Sequence, residues 1–274
     1  MNARNKSLLF SGLLCLLLVA GPIFGASAQE EPAAAKPAAV GDQKPPIHPE
    51  ADRLLKGVSK MLIEAKDYSF KAEVWEDEDA GGHKVSTTKT MDLKVRRPDR
   101  LQIEVRSPRR SRGYWFDGRS ITILDRAHNL YSAVETPGTI DQALDAAEDK
   151  YGIVLPLEDL LVNDPYASIS PTIQGAAYFG KVTVLGTPCR HLGVSTSVVD
   201  WQLWVADGPR PLPRKLVITY KLLDGAPQYT AILSDWKFNQ GLPDKTFAFR
   251  PLKGAARIDT LPAKGDERNV PEKK

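Results

Sequence analysis

The chain of 274 residues is poor in the side chains that most often carry chemistry. It has two cysteines, Cys15 and Cys189, and four histidines. Cys15 lies in an apolar N-terminal run, so removal of that run leaves one cysteine and excludes an intrachain disulfide. G-x-S-x-G, H-E-x-x-H, C-x-x-C and glycine-rich phosphate motifs are all missing. These absences favour a protein that is not an enzyme and that holds no metal or other cofactor.

The chain also lacks a strong charge of one sign. It carries 37 basic and 34 acidic residues, for a formal net charge of +3. This balance gives no indication of nucleic-acid binding. No second long apolar run follows the first, so we expect no stable membrane span once that run is removed.

The N-terminus has the pattern of a secretory signal peptide. Arg4 and Lys6 precede an apolar run at residues 7–24, and the small residues Ala26-Ser27-Ala28 follow. This order predicts cleavage after Ala28 and export to a bacterial periplasm. An uncleaved anchor is the alternative, but the run is short for a span and Gly21-Pro22 interrupts it.

Composition divides the chain into four parts. Residues 1–28 form the signal peptide, and residues 29–48, rich in alanine, proline and lysine, are expected to be a flexible tether. Residues 49–257 carry the periodic apolar pattern of one folded domain. The charged residues 258–274 are expected to be a disordered tail.

Apolar periodicity predicts one helix followed by many strands. A period near 3.6 from Leu54 to Ala65 indicates an N-terminal amphipathic helix. The period then becomes two, as in Tyr68 to Val74 and Met91 to Val95, with a hairpin signal at Asp117-Gly118. Strands of the same kind resume at Tyr178. In total we expect about ten or eleven antiparallel strands.

A helical insert interrupts the strands. Thr139 and Gln142 form a capping box that starts a helix at Ile140, and Gly152 suits its end. Pro156 is expected to start a second short helix that stops near residues 163–165. Near the C-terminus, Phe247 and Phe249 are interpreted as a last edge strand.

These elements predict a mainly β fold with α, a curled antiparallel half-barrel with an N-terminal helix and a helical plug or lid. A long antiparallel sheet twists and curls, and its apolar concave face has to be covered. A few short helices cover such a face incompletely, which predicts an apolar cavity under them. A fully packed core is the alternative.

Several segments resemble known families. The first group is similar to the LolA/LolB-type lipoprotein carriers: Lys94–Val105, Trp115–Asp125 and Asn129–Tyr131. The second group resembles the predicted periplasmic DUF2092 proteins: Tyr151–Pro156, Asp200–Trp204, Pro211–Lys215 and Tyr229–Trp236. The resemblance implies a half-barrel with a helical plug and an apolar interior. The carriers also hold their lid with an arginine, which matches no single residue here.

We therefore expect a periplasmic carrier or binding protein for a lipid, an acyl chain or a lipoprotein. The insert at residues 140–161 would act as its lid. The side chains expected to line the cavity are Tyr68, Phe70, Leu93, Leu101, Ile103, Leu144, Trp201, Leu203, Leu216 and Ile218.

The alternative function is an envelope interaction or regulatory module that binds another protein. A basic loop formed by Arg106, Arg109, Arg110 and Arg112 could dock on anionic headgroups or on an acidic envelope protein. A merely solvated loop is the competing interpretation.

Two further patterns carry weaker hypotheses. Cys189 and His191 lie two residues apart on a strand, which would allow a thiolate–imidazole pair, although a buried thiol beside an unrelated histidine fits better. The acidic run Glu76–Asp79 could attract a cation, but its spacing does not match a calcium loop and we expect a solvated hairpin tip.

Overall fold

A computed structural model describes residues 46–108 and 110–263. The expected signal peptide, nearly all of the expected tether, Arg109 and residues 264–274 lie outside the described residues. The structure therefore covers the stretch in which the sequence shows regular apolar periodicity.

The strands form one large, open and curled sheet of twelve strands, in the order β12-β6-β5-β4-β3-β2-β1-β11-β10-β9-β8-β7. Every neighbouring pair is antiparallel except β12 and β6. The strands are β1 Asp67–Asp79, β2 Lys84–Arg96, β3 Arg100–Arg106, β4 Ser111–Phe116, β5 Ser120–Asp125, β6 Leu130–Glu135, β7 Gly175–Val184, β8 Thr187–Ser195, β9 Val199–Ala206, β10 Pro213–Tyr220, β11 Gln228–Phe238 and β12 Ala256–Arg257.

The predicted fold class is confirmed, with one or two strands more than expected. Alternation of buried and exposed side chains along β1 shows why these segments are strands: Phe70, Ala72 and Val74 are buried while the residues between them face solvent. A bulge at Asp235, where φ is 52°, turns the end of β11 so that Trp236 stacks on Phe70 at 4.2 Å.

The two longer helices lie where the sequence predicts them. Helix α1, Pro49–Glu64, begins with a proline and acidic residues and buries one apolar stripe against the sheet. Helix α2, Ile140–Tyr151, has the capping box of Thr139 and Gln142 and ends at Gly152, whose φ of 64° suits glycine.

The second part of the insert differs from expectation. The residues after Pro156 form only a 3-10 helix, Glu158–Leu160, and helix α3, Pro165–Ile169, begins where a helix was expected to stop. Proline needs no N–H partner in the first turn, and the Asp164 carboxylate accepts from the Ala167 N–H, so this Asp-Pro pair starts a helix.

The last strand is also not where it was expected. Phe247 follows a 3-10 helix, Asp244–Thr246, and is fully buried, while β12 pairs in parallel with β6. Within the expected tail, the Ile258 N–H donates to the Tyr131 carbonyl and the Ala263 N–H to the Lys150 carbonyl. In residues 46–108 and 110–263, no helix is long and apolar enough to cross a membrane.

Candidate functional site

An apolar cavity of about 100 Å³ lies between the sheet and the second part of the insert. We call residues 153–169 the lid segment. The wall is formed by Leu55, Val58, Val154, Leu155, Leu157, Glu158, Asp159, Leu160, Pro165, Tyr166, Ile169, Trp201, Leu203, Leu216, Ile218, Tyr220 and Tyr229.

The sheet side of the cavity comes from two neighbouring strands. Trp201 and Leu203 of β9 pair in register with Ile218 and Leu216 of β10, so their side chains form one continuous apolar surface. Trp201 and Leu203 are buried, whereas Leu216 and Ile218 are only partly buried although they lie under the lid segment. Incomplete packing at these two residues leaves the cavity.

The opposite side comes from the lid segment, with Leu55 and Val58 of α1. Leu157 has a φ of 56°, a left-handed conformation that glycine and asparagine adopt more readily than leucine, and its side chain is buried on the wall. Strain of this kind is held in place by surrounding contacts. Helix α2 was expected to belong to the lid, but the cavity wall contains none of its residues.

The sequence-predicted lining residues fall into two groups. Trp201, Leu203, Leu216 and Ile218 lie on the cavity wall. The others are buried in packed core away from this wall: Tyr68, Phe70, Leu93, Leu101, Ile103 and Leu144. Both groups lie in the same apolar core, and only the first group borders the cavity.

One arginine ties the lid segment to the rest of the fold. Arg97 donates from Nε to the Leu62 carbonyl of α1 at 3.0 Å. Its two terminal nitrogens donate to the Asn163 side-chain oxygen and the Val162 carbonyl, both at 2.9 Å. The guanidinium also lies over the Tyr68 ring, 5.5 Å from its centroid. Arg97 thus joins α1, the sheet and the lid segment.

A second set of polar contacts anchors α3 to α1. The Ser59 hydroxyl donates to the Asp164 carboxylate at 2.8 Å and accepts from the Tyr166 N–H at 3.0 Å. The Tyr166 hydroxyl donates to the Asp52 carboxylate at 2.5 Å. Hydrogen bonds from Lys56 and then from Tyr166 lower the pKa of Asp52. The anchor is polar, while the surface beneath the lid segment is apolar.

Polar groups meet at one end of the cavity. Glu76 of β1 pairs in register with Tyr229 of β11 and forms an ion pair with Lys89 of β2 at 2.5 Å. The Lys89 ammonium also lies 5.3 Å from the Tyr229 ring centroid. Tyr220, at the end of β10, completes the group, and both tyrosines are part of the cavity wall. We call Glu76, Lys89, Tyr220 and Tyr229 the polar cluster.

Burial dominates the electrostatics of the polar cluster. Loss of hydration raises the pKa of Glu76 despite the opposing charge of Lys89. Burial, followed by the charge of Glu76, also raises the pKa of Tyr220 and Tyr229, so both phenols keep their protons. Among the described residues, Glu76 Oε1 and both phenol oxygens have no hydrogen-bond partner.

The position of Glu76 corrects one expectation, and the polar cluster as a whole was not predicted from the sequence. Glu76 was expected in a solvated hairpin tip, but it lies within β1 and is only 6% exposed. The alternation of the strands could have revealed it. Glu76 lies on the same face of its strand as Ala72 and Val74, and Lys89 lies on the same face as Met91. In the described part of the chain, no group of three or more possible ligands is placed to hold a metal ion.

The arginines of the predicted basic loop have different surroundings in the structure. Arg106 pairs with Asp92 at 2.6 Å, and Arg112 lies 3.9 Å from Asp125, so both neighbour acidic side chains of the sheet. Arg110 is exposed, and Arg109 lies outside the described residues.

Cys189 and His191 are engaged with different partners. The buried Cys189 thiol donates to the Thr187 carbonyl at 3.3 Å, and burial raises its pKa. The His191 ring bonds Gln202 at 2.9 Å and stacks on Trp204, and burial lowers its pKa. These shifts favour the neutral thiol and the neutral imidazole, which is the opposite of an activated pair.

An open, curled and mainly antiparallel sheet with helices over its inner face and an apolar cavity under them forms a half-barrel. The chain belongs to the DUF2092 family, described as "Predicted periplasmic protein (DUF2092)", whose sequence model matches residues 51–261. Family membership was predicted from the sequence segments and is confirmed.

Several solved structures are similar to this chain. LprF from Mycobacterium bovis has 14% identity and a TM-score of 0.41, and the match covers 72% of this chain and 98% of that chain. LppX from Mycobacterium tuberculosis has 12% identity and a TM-score of 0.39, with 70% and 97% covered. The LolA superfamily protein NE2245 from Nitrosomonas europaea has 10% identity and a TM-score of 0.36, with 73% and 96% covered.

At these low identities and TM-scores, no ligand or activity is transferred from the similar structures. No curated protein sequence matches this chain.

Proposed function

We propose that this protein is a non-enzymatic carrier of the periplasm that binds a lipid, an acyl chain or the acyl chains of a lipoprotein. It reaches that compartment through a signal peptide cleaved after Ala28. The observation that supports the proposal most directly is the apolar cavity between the partly buried Leu216 and Ile218 and the lid segment. The family description as a periplasmic protein supports the location.

The size of the cavity shows what binding requires. Ligand pockets usually measure about 300–1,000 Å³, whereas this one measures about 100 Å³. An acyl chain therefore needs a larger space than the closed form offers. Displacement of the lid segment supplies that space, because the surface beneath it is already apolar. The polar anchors at Arg97 and Ser59 fix the closed position.

The physical gain is the removal of an acyl chain from water. Each buried methylene contributes about 0.8 kcal/mol. A long chain therefore gains several kcal/mol, which offsets hydrogen bonds with a net value of about 1 kcal/mol each, and it takes the place of the lid segment's own apolar contacts with the sheet. Binding of this kind requires an apolar surface and no catalytic group.

The test is direct. Purified protein is examined by native mass spectrometry for co-purified lipid and titrated with a fluorescent fatty-acid probe. We expect saturable probe uptake, abolished by Ile218→Trp, which fills the cavity. Val182→Trp, on the exposed face of β7, is the matched control and should leave uptake intact. Absence of both bound lipid and probe uptake would contradict the proposal.

A second function, docking through the basic loop, is supported by the exposure of Arg110. A surface groove of about 290 Å³ lies beside it, lined in part by Trp75, Arg106 and Pro108. We expect the Arg106→Glu/Arg110→Glu variant to lose co-sedimentation with phosphatidylglycerol vesicles and keep probe uptake. Phosphatidylcholine vesicles are the control, and equal sedimentation of wild type and variant contradicts docking.

A further inference from the structure

The polar cluster at the end of the cavity points to the kind of head that the bound molecule carries. Tyr229 is 2% exposed and Tyr220 is 7% exposed, and both lie on the cavity wall. Their hydroxyl groups and Glu76 Oε1 are buried and have no hydrogen-bond partner among residues 46–108 and 110–263. Buried polar groups in native proteins are normally paired, so three unpaired atoms at one place indicate a site for a polar group.

The three atoms need a group that both donates and accepts. An ionised Glu76 carries no proton, so its Oε1 can only accept, while Oε2 accepts from Lys89 at 2.5 Å. The phenols keep their protons, so each can donate or accept. A hydroxyl group of a ligand can donate to the carboxylate and accept from a phenol at the same time.

The charges of the cluster disfavour an ionic head. Glu76 and Lys89 neutralise each other within the pair. A carboxylate or phosphate would add negative charge to a wall that also carries Glu158 and Asp159, and an ammonium would compete with Lys89 for Glu76; either charge is unfavourable in an apolar surrounding. A neutral head avoids that penalty.

The cluster is continuous with the apolar wall. Tyr229 is paired in register with Ile218, which is paired with Trp201. Tyr220 lies two residues beyond Ile218 on the same face of β10. A molecule with a polar head at the tyrosines therefore directs its chain along Ile218 and Trp201 toward Leu216 and Leu203.

We propose that the polar cluster binds the hydroxyl groups of a neutral amphiphile, namely a glycerol-type head on an acyl chain. The inference rests on the proposed carrier function and specifies its ligand class. The lid segment and the apolar wall hold the chain, and the polar cluster selects the head.

The experiment uses four ligands with the same oleoyl chain: monoolein, methyl oleate, oleate and oleylamine. Each one displaces N-phenyl-1-naphthylamine from the full-length mature protein, below the concentration at which it aggregates. We expect monoolein to bind about tenfold more tightly than the other three, since it alone satisfies the unpaired atoms without adding charge.

The variant Tyr220→Phe/Tyr229→Phe keeps the rings and removes only the hydroxyl groups. It should reduce monoolein affinity about tenfold and leave methyl oleate affinity unchanged. Tyr131→Phe, on β6 beside Phe249, is the matched control and should change neither. Unfolding midpoints of all variants show whether they are folded.

The outcomes separate this inference from the proposed function. Binding of all four ligands with equal affinity, or a preference for oleate or oleylamine, overturns the head-group assignment and leaves the carrier proposal standing. Retention of the monoolein preference by the double variant overturns the assignment as well. Failure of every ligand to displace the probe overturns the carrier function, and the head-group assignment with it.

Discussion

Two buried tyrosines of the inner face, Tyr68 and Tyr229, show how differently one hydroxyl group can contribute. The Tyr68 hydroxyl donates to the Leu160 carbonyl at 2.7 Å and thereby helps to fix the lid segment. The Tyr229 hydroxyl has no partner among the described residues. Both rings are buried to the same degree, so the difference lies in the oxygen alone.

This contrast predicts opposite effects of one substitution. Tyr229→Phe should raise the free energy of unfolding by about 1 kcal/mol, because it removes an unpaired buried polar atom. Tyr68→Phe should lower it by about 1 kcal/mol, because it leaves the Leu160 carbonyl unpaired. Denaturant unfolding at neutral pH measures both. A loss of the same size in both variants would contradict the assignment of Tyr229 as unpaired.

Among the elements, the lid segment depends on a neighbour that the sequence did not reveal. Arg97 lies immediately after β2 in the chain, and three of its hydrogen bonds reach α1 and the lid segment. The adjacent Arg96 points elsewhere, to the Leu242 carbonyl and the Asp244 carboxylate. Two consecutive arginines thus hold two different parts of the molecule.

Arg97→Met should loosen the lid segment. The variant keeps an apolar stem and loses bonds to buried carbonyls, so we expect local opening to become easier by about 2 kcal/mol. Faster hydrogen exchange at residues 160–164 and faster uptake of the fatty-acid probe would show it. Arg96→Met is the matched control and should leave both unchanged. Unaltered exchange in Arg97→Met would show that apolar packing alone holds the lid segment.

The sequence predicted the strands and their inner faces better than it predicted which residues pack on those faces. Period-two alternation placed Trp201 and Phe70 on the inner face of their strands, and both are in the core. Alternation assigns a face but says nothing of what packs against it, so it could not distinguish Trp201 on the cavity wall from Phe70 under Trp236. The polar cluster was not predicted, because the charged Glu76 at an inward-facing position of its strand was interpreted as part of a solvated hairpin tip.

At the scale of the whole molecule, α1 is attached to the far end of the sheet by charges. Arg190 of β8 lies 2.8 Å from Glu50 of α1 and 2.7 Å from Asp207. Lys181 of β7 also pairs with Asp207, at 2.7 Å. These contacts join the first helix to the last strands in spatial order, so that α1 extends across the sheet next to the lid segment.

Acid should weaken this attachment. Hydrogen bonds, first from Arg53 and then from Arg190, lower the pKa of Glu50 below 4.5. Those from Lys181 and Arg190 lower the pKa of Asp207 below 3.8. Such a carboxyl group stabilises the folded state fully when the pH is above its pKa in the unfolded chain. That stabilisation is lost as the pH falls through its lower pKa in the folded protein. Glu76 acts in the opposite sense, because its raised pKa makes ionisation unfavourable in the folded state.

We therefore expect the thermal midpoint to hold steady from about pH 7 to about pH 5 and to fall below about pH 4.5. Glu50, Asp207 and Arg190 are partly exposed to solvent, so added salt should reduce the fall. Arg190→Gln should lower the midpoint at neutral pH and flatten its decline in acid, because Glu50 and Asp207 then lose a partner in common. A decline of the same depth in Arg190→Gln and wild type would mean that other carboxylates govern acid unfolding, and that α1 is held by its apolar stripe alone.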